Sequence, residues 1–144
     1  MNINEYIRQI EKQQKEQNAI FHTAAVKYGL SDTAMWILYF LSDFPDGCTQ
    51  QNLCGQSFFA KQTINTATGK LIRNGFVELT PIPGTRNQKR VRLTGAGTEL
   101  AKHTTDDLRQ AEQKAYGRLT EEELRLFLDI TTRITLYLRE ETEK

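Results

Sequence analysis

Cysteine is scarce in this chain: Cys48 and Cys54 are the only two among 144 residues. A small secreted scaffold would carry more, as disulfide staples, so two free thiols are expected, with Cys54 as a small core residue. Long apolar runs are also lacking. The longest strongly apolar stretch, Met35 to Leu41, falls far short of the roughly 18 residues that a membrane span needs. No cationic leader followed by an apolar segment opens the sequence, because residues 1–18 are mostly polar; the protein is read as cytoplasmic. With 38% apolar and 26% charged residues, the composition is that of a soluble globular protein of about one domain.

Signatures of catalysis are missing as well. There is no Gly-rich phosphate loop, no metal-binding helix motif and no nucleophile–base set, so no enzyme and no cofactor is expected. Gly95-Ala96-Gly97 follows a strand without a readable βαβ unit, which makes it a helix start and not a dinucleotide fingerprint. His22 and His103 have no ligand-like spacing with the cysteines, so no metal is expected either.

The most telling absence is of acid in one region. Between Thr49 and Arg92 stand seven bases, Lys61, Lys70, Arg73, Arg86, Lys89, Arg90 and Arg92, against one acid, Glu78. That stretch carries +6, whereas the remaining 12 bases and 17 acids sum to −5. A near-neutral chain has gathered its positive charge into one contiguous third, the footprint of a surface that meets a polyanion. A solvated basic face would give the same count, so the pattern inside the island decides.

Helical patterning dominates on both sides of it. Residues 4–28 hold no Pro and keep apolar residues at helical spacing, with Gly29 as the C-terminal cap. Ser31-Asp32-Thr33 offers N-cap oxygens to a central buried helix through Leu41, and Phe44-Pro45-Asp46-Gly47 ends it as a turn. Thr49 caps a short helix over 50–54. A loop over 55–59 leads into a second helix, about 60–74, closed by Gly75. Phe76 to Thr80 and Arg90 to Thr94 alternate as the arms of a two-stranded hairpin, with Pro81 and Pro83 breaking the connection. The chain is helical again from about Gly95 to Gly117. Thr120 and Glu123 then form a capping box for a last helix reaching about Glu141. The fold class is therefore mainly α with a small β-hairpin wing, a winged helix-turn-helix over 30–94 between flanking helices at 1–29 and 95–144.

In the 60–74 helix, Ile64, Ala67 and Leu71 fall on one face. The other face carries Lys61, Gln62, Asn65, Thr66, Lys70 and Arg73, and no acid to repel phosphate. Recognition helices read bases with their N-terminal residues, which points to Lys61, Gln62, Asn65 and Thr66; Gln and Asn suit adenine. Lys70 and Arg73 suit phosphate, which positions without specifying. Gly69 costs that helix about 1 kcal/mol relative to Ala, unless backbone must come close to something there. A cationic hairpin tip with Arg86, Lys89 and Arg90 can enter a narrow minor groove.

Leu53-Cys54, Lys61-Gln62-Thr63-Ile64, Leu71, Gly75-Phe76-Val77 and Leu93-Thr94 with Gly97 resemble the MarR family of bacterial transcriptional regulators. The segment Thr49 to Val77 fits the family's helix-turn-helix spacing without a gap. The resemblance implies a homodimer that binds a pseudopalindromic operator in double-stranded DNA, usually as a repressor released by a small-molecule effector or by oxidation. It adds Thr63 to the DNA-binding candidates. The family's wing carries Asp-x-Arg seven residues before the closing Thr. Here that count lands on Asn87, with Arg86 one residue early and Gly84 or Thr85 in the Asp position. Arg86 is taken as the minor-groove residue, with Arg90 as its alternate.

The flanking helices have apolar faces that a small winged-helix core cannot cover, and a second copy would bury them. Tyr6, His22, Trp36 and Phe40 are candidate liners of an effector cleft, and plain core residues on the blander reading. For a redox switch, Cys48, just before a helix N-terminus, fits the exposed electropositive setting of a reactive thiol better than Cys54. A protein-docking module and an architectural DNA binder are the other uses that a winged helix with these residues allows.

Overall fold

The computed structural model describes residues 1–144. Its elements are α1 (Ile3–Lys27), α2 (Asp32–Leu41), β1 (Cys48–Thr49), α3 (Gln50–Gly55), α4 (Lys61–Arg73), β2 (Val77–Pro81), β3 (Lys89–Leu93), α5 (Gly95–Lys102), α6 (Thr105–Tyr116) and α7 (Glu121–Thr142). The chain divides into two compact units, Met1–Leu108 and Arg109–Lys144. No helix is long and apolar enough to cross a membrane.

The first unit holds the core. Ile37, Leu38 and Leu41 of α2 are buried together with Leu53, Ile64, Leu71, Val77 and Val91. Each such aliphatic side chain contributes about 1.5–3 kcal/mol when removed from water. The apolar run of α2 is thus its contact surface for α4, β3, α1 and α5, all of which pack on it. Local signals set the helix ends. Ser31 Oγ accepts from Ala34 N and Thr49 Oγ1 from Asn52 N, while Gly29 and Gly75 take φ of 71° and 79° just past α1 and α4, where only glycine avoids strain. At the start of α1, Asn2 and Glu5 form a capping box of their own.

The sheet is larger than the expected hairpin. It has three antiparallel strands in the order β1-β3-β2, with Cys48 opposite Val91 and Thr49 opposite Arg90. Two residues are too short to show alternation, which hides β1 in the sequence. Pro81 was expected to break β2 but is its last residue, opposite Lys89; at a strand end its missing N–H costs no ladder bond. Val77 and Leu79 share one face of β2 by alternation, yet Val77 is buried and Leu79 is 39% exposed.

The helix expected from Gly95 to Gly117 is interrupted between α5 and α6. Thr104 and Thr105 are buried, and their hydroxyls donate to the carbonyls of Leu100 and Ala101. The backbone there tightens to i, i+3 bonds, His103 N to Leu100 O and Thr104 N to Ala101 O. Threonine hydroxyls that back-bond in this way compete with the helical ladder.

In the second unit, α7 opens on the expected capping box. Thr120 Oγ1 accepts from Glu123 N, and Glu123 Oε2 accepts from Thr120 N. None of its side chains is buried.

Two helical glycines differ in what surrounds them. A Cβ on Gly97 would lie 1.9 Å from the carbonyl oxygen of Phe76, whereas one on Gly69 would meet only Arg73 Nη1, at 3.6 Å. No close backbone approach accounts for Gly69. Gly69→Ala should therefore stabilise the protein by about 1 kcal/mol, and Gly97→Ala should destabilise it by about 1–3 kcal/mol through overpacking. Urea denaturation of the two variants checks the opposite signs.

Candidate nucleic-acid interface

Helix α4 is held by its inner face. Ile64, Thr68 and Leu71 are buried, and the Thr68 hydroxyl is spent on the Ile64 carbonyl. What remains turns outward: Lys61, Gln62, Thr63, Asn65, Thr66, Lys70 and Arg73 are all exposed. At 100° per residue these do not form one stripe. Gln62, Thr66, Gly69 and Arg73 run down the middle of the outer face, with Lys70 and Thr63 to one side and Lys61 and Asn65 to the other. The first turn holds no acid, and the cap position is Ala60, which makes no side-chain cap bond. Lys70 and Arg73 in the last turn also complement the negative end of the helix.

The side chain of Asn65 is not free. Gln50 Nε2 at the start of α3 donates to Asn65 Oδ1 at 2.5 Å, and Cys54 Sγ lies 4.0 Å from the same oxygen. Sequence reasoning missed Gln50 altogether: it stands fifteen residues from Asn65, and only the packing of α3 on α4 brings the two amides together.

The wing projects from the same unit. Its tip is closed by Ile82 N donating to Gln88 O and Thr85 Oγ1 donating to Ile82 O. Arg86 and Asn87 occupy that tip and are exposed. Arg90 sits in the central strand, opposite Thr80 on one side and Thr49 on the other, so the two arginines weighed for one role occupy different places. The remaining wing base is neutralised, because Arg92 Nε donates to Glu78 Oε1 at 2.7 Å across the strands. The only acid of the charge island is thereby spent. Lys61, Lys70, Arg73, Arg86, Lys89 and Arg90 form no ion pair. The wing root is fastened to the end of α4: Thr94 Oγ1 donates to Gly75 O at 2.6 Å and accepts from Gly97 N at 3.1 Å.

Residues 28–86 match the MarR family. The family model matches that segment, which spans α2, α3, α4 and the wing to its tip. A comparison with curated proteins finds no match. Among solved structures, the transcription regulator MarR from Oenococcus oeni superposes with a TM-score of 0.73 at 19% identity, covering 89% of this chain and 96% of that one. The S. aureus MepR–DNA complex gives 0.68 at 19%, covering 96% and 98%. NadR in complex with 4-hydroxyphenylacetate gives 0.70 at 16%, covering 93% and 92%. The chain thus has the winged-helix fold of the MarR-family regulators along most of its length.

The four candidate cleft liners separate. Trp36 and Phe40 are brought together, stacked at 5.1 Å between ring centroids, and Phe59 meets Trp36 edge-on at 6.4 Å. Tyr6 and His22 are not core residues here: both are exposed, and His22 Nδ1 lies 2.8 Å from Asp32 Oδ1. An aromatic that sequence reading passed over, Phe58, stands 85% exposed in the turn before α4, stacked on Phe59.

Of the two thiols, Cys48 is the buried one, in β1, and desolvation pushes its pKa up. That is the reverse of the exposed, acidified setting a reactive thiol needs. Cys54, half-buried on α3, is the more accessible. A thiol reagent such as a chromogenic disulfide should modify Cys54 first in the folded protein and reach Cys48 only on addition of denaturant. Counting released chromophore in the Cys48→Ser and Cys54→Ser variants checks the order.

Proposed function

We propose that this chain is a sequence-specific, DNA-binding transcriptional regulator acting as a homodimer. One observation carries the reading: six island cations on α4 and the wing are exposed and unpaired, while the single acid among them is tied to Arg92. A positive surface left without internal partners is what a phosphate backbone completes. In this reading Lys61, Gln62, Thr63, Asn65 and Thr66 meet base edges and nearby backbone in the major groove. Lys70 and Arg73 hold phosphates. Arg86, Lys89 and Arg90 carry the wing to the neighbouring minor groove, with Arg86 foremost. MepR has been captured on DNA with this same fold, which supports the assignment.

The dimer follows from apolar faces that the single chain leaves open. In α1, Ile3, Ile7 and Ile10 lie on one exposed stripe. In α7, Phe127, Ile130, Ile134, Tyr137 and Leu138 are exposed, and with Leu128 and the half-buried Leu124 they span a band about half the helix circumference wide. Contiguous apolar surface on that scale marks an interaction site. We assign residues 1–29 and 95–144 to dimerisation. Two copies of α4 then meet successive major grooves about 34 Å apart, which calls for a pseudopalindromic operator. Blocking a promoter and releasing it when a small molecule binds is the regulatory mode proposed; the ligand-bound NadR structure supports an organic effector.

Three measurements test this. Sedimentation should give a dimer at micromolar concentration, and a monomer there would sink the two-fold arrangement. Affinity for a selected operator should fall steeply with salt, with a log–log slope of about 0.9 per phosphate contact; a docking module would show little DNA affinity even at low salt, and an architectural binder no preferred sequence. Lys70→Ala or Arg73→Ala should weaken binding to every sequence alike and lower the slope by about 1. Gln62→Ala should instead cost about 1–3 kcal/mol and relax the preference at one base pair.

A further inference from the structure

We propose that Gln50 is a positioning residue that fixes which hydrogen-bonding group Asn65 presents to DNA, making Asn65 a donor-only reader that favours guanine over adenine. The inference rests on the reading of α4 as the recognition helix.

An unrestrained asparagine can turn either end of its amide toward a base. Its best-known match is adenine, where the oxygen accepts from N6 and the NH₂ donates to N7. That match requires a free Oδ1. Here Oδ1 already accepts from Gln50 Nε2 at 2.5 Å, and the thiol of Cys54, one turn further along α3, approaches the same atom at 4.0 Å. A carbonyl oxygen has two lone pairs; Gln50 occupies one, and the weakly donating Cys54 thiol stands on the side of the other. The NH₂ group, with its two donors, is the end left for a partner outside the protein. In the major groove, guanine offers two acceptors, N7 and O6, whereas adenine pairs its one acceptor with a donor. A donor-only Asn65 is therefore matched to guanine and leaves the adenine N6 group unanswered.

The bridge also selects position. Asn65 lies on the flank of α4 turned toward α3, beside the stripe of Gln62, Thr66 and Arg73, so a loose side chain there could swing to either side. Gln50 is partly buried at the first position of α3, behind the Thr49 cap, and so approaches Asn65 from a fixed point.

The test is operator selection from random DNA by the full-length protein and its Gln50→Ala, Gln50→Glu and Asn65→Ala variants and the Gln50→Ala/Asn65→Ala double variant. Affinities are then measured for the four bases at the position that Asn65→Ala relaxes. The wild type should prefer guanine there. Gln50→Ala should reduce the guanine-over-adenine ratio by about tenfold, a moderate base-edge contact, with unchanged urea stability and unchanged salt slope. Gln50→Glu, which can only accept, should draw the Asn65 NH₂ inward and expose Oδ1, moving the preference toward the donor edges of cytosine or adenine. In the Asn65→Ala background, Gln50→Ala should change nothing further.

The proposal is overturned if Gln50→Ala leaves the ratio intact while Asn65→Ala relaxes it, or if the Gln50 effect persists without Asn65. A changed salt slope in Gln50→Ala would also overturn it, by making Gln50 a phosphate contact in its own right. If Asn65→Ala relaxes no base pair at all, the reading of Asn65 as a base contact fails, and the inference falls with it.

Discussion

Burial of one face of α4 is the constraint on which everything else in the first unit depends. Ile64, Thr68 and Leu71 are sealed against α2 and the sheet, and the helix has little else to hold it. Its cap residue is alanine, its interior contains a glycine, and its outer face has no apolar side chain to share with a neighbour. Isolated helices of thirteen residues are marginal in water, so this one owes its order to the core. Its outer residues are correspondingly relieved of structural duty, which is why seven polar or charged side chains can crowd one short helix.

The same economy explains the electrostatics. Exposed ion pairs contribute little, about 0–1 kcal/mol, so leaving six cations unpaired costs the fold almost nothing. The exception is informative. Arg92 and Glu78 face each other on adjacent strands, near the root of the wing and not at its tip. Charge is compensated at the root of the wing and left bare from Arg90 outward to its tip.

The fold was legible in the sequence wherever a short-range chemical signal decided the structure. Ser31, Thr49 and Thr120 cap the helices they precede, because a hydroxyl and an amide three residues on need nothing else. Spacing placed Ile64 and Leu71 inward by the same local logic. Features that depend on tertiary packing were not legible. The interruption after α5 depends on burial of Thr104 and Thr105, the third strand on two residues meeting β3, and the exposure of Leu79 on what covers that face. Cys48 looked accessible beside Gly47 and a helix start, yet strand pairing buried it. The hydrogen bond between Gln50 and Asn65 is the extreme case, since neither residue type nor spacing hints at it.

Thr94 bears on how the pieces move. Its hydroxyl joins the carbonyl just past α4 to the amide three residues into the next segment, and its own backbone N–H is held by Phe76 O. The end of one helix, the root of a hairpin and the start of another helix thus share a single bolt. A push on α5 cannot shift the wing without also carrying the end of α4. The separation between helix and wing behaves as a fixed gauge, so a surface of matching spacing is accepted as it stands, and one of different spacing must itself deform to fit.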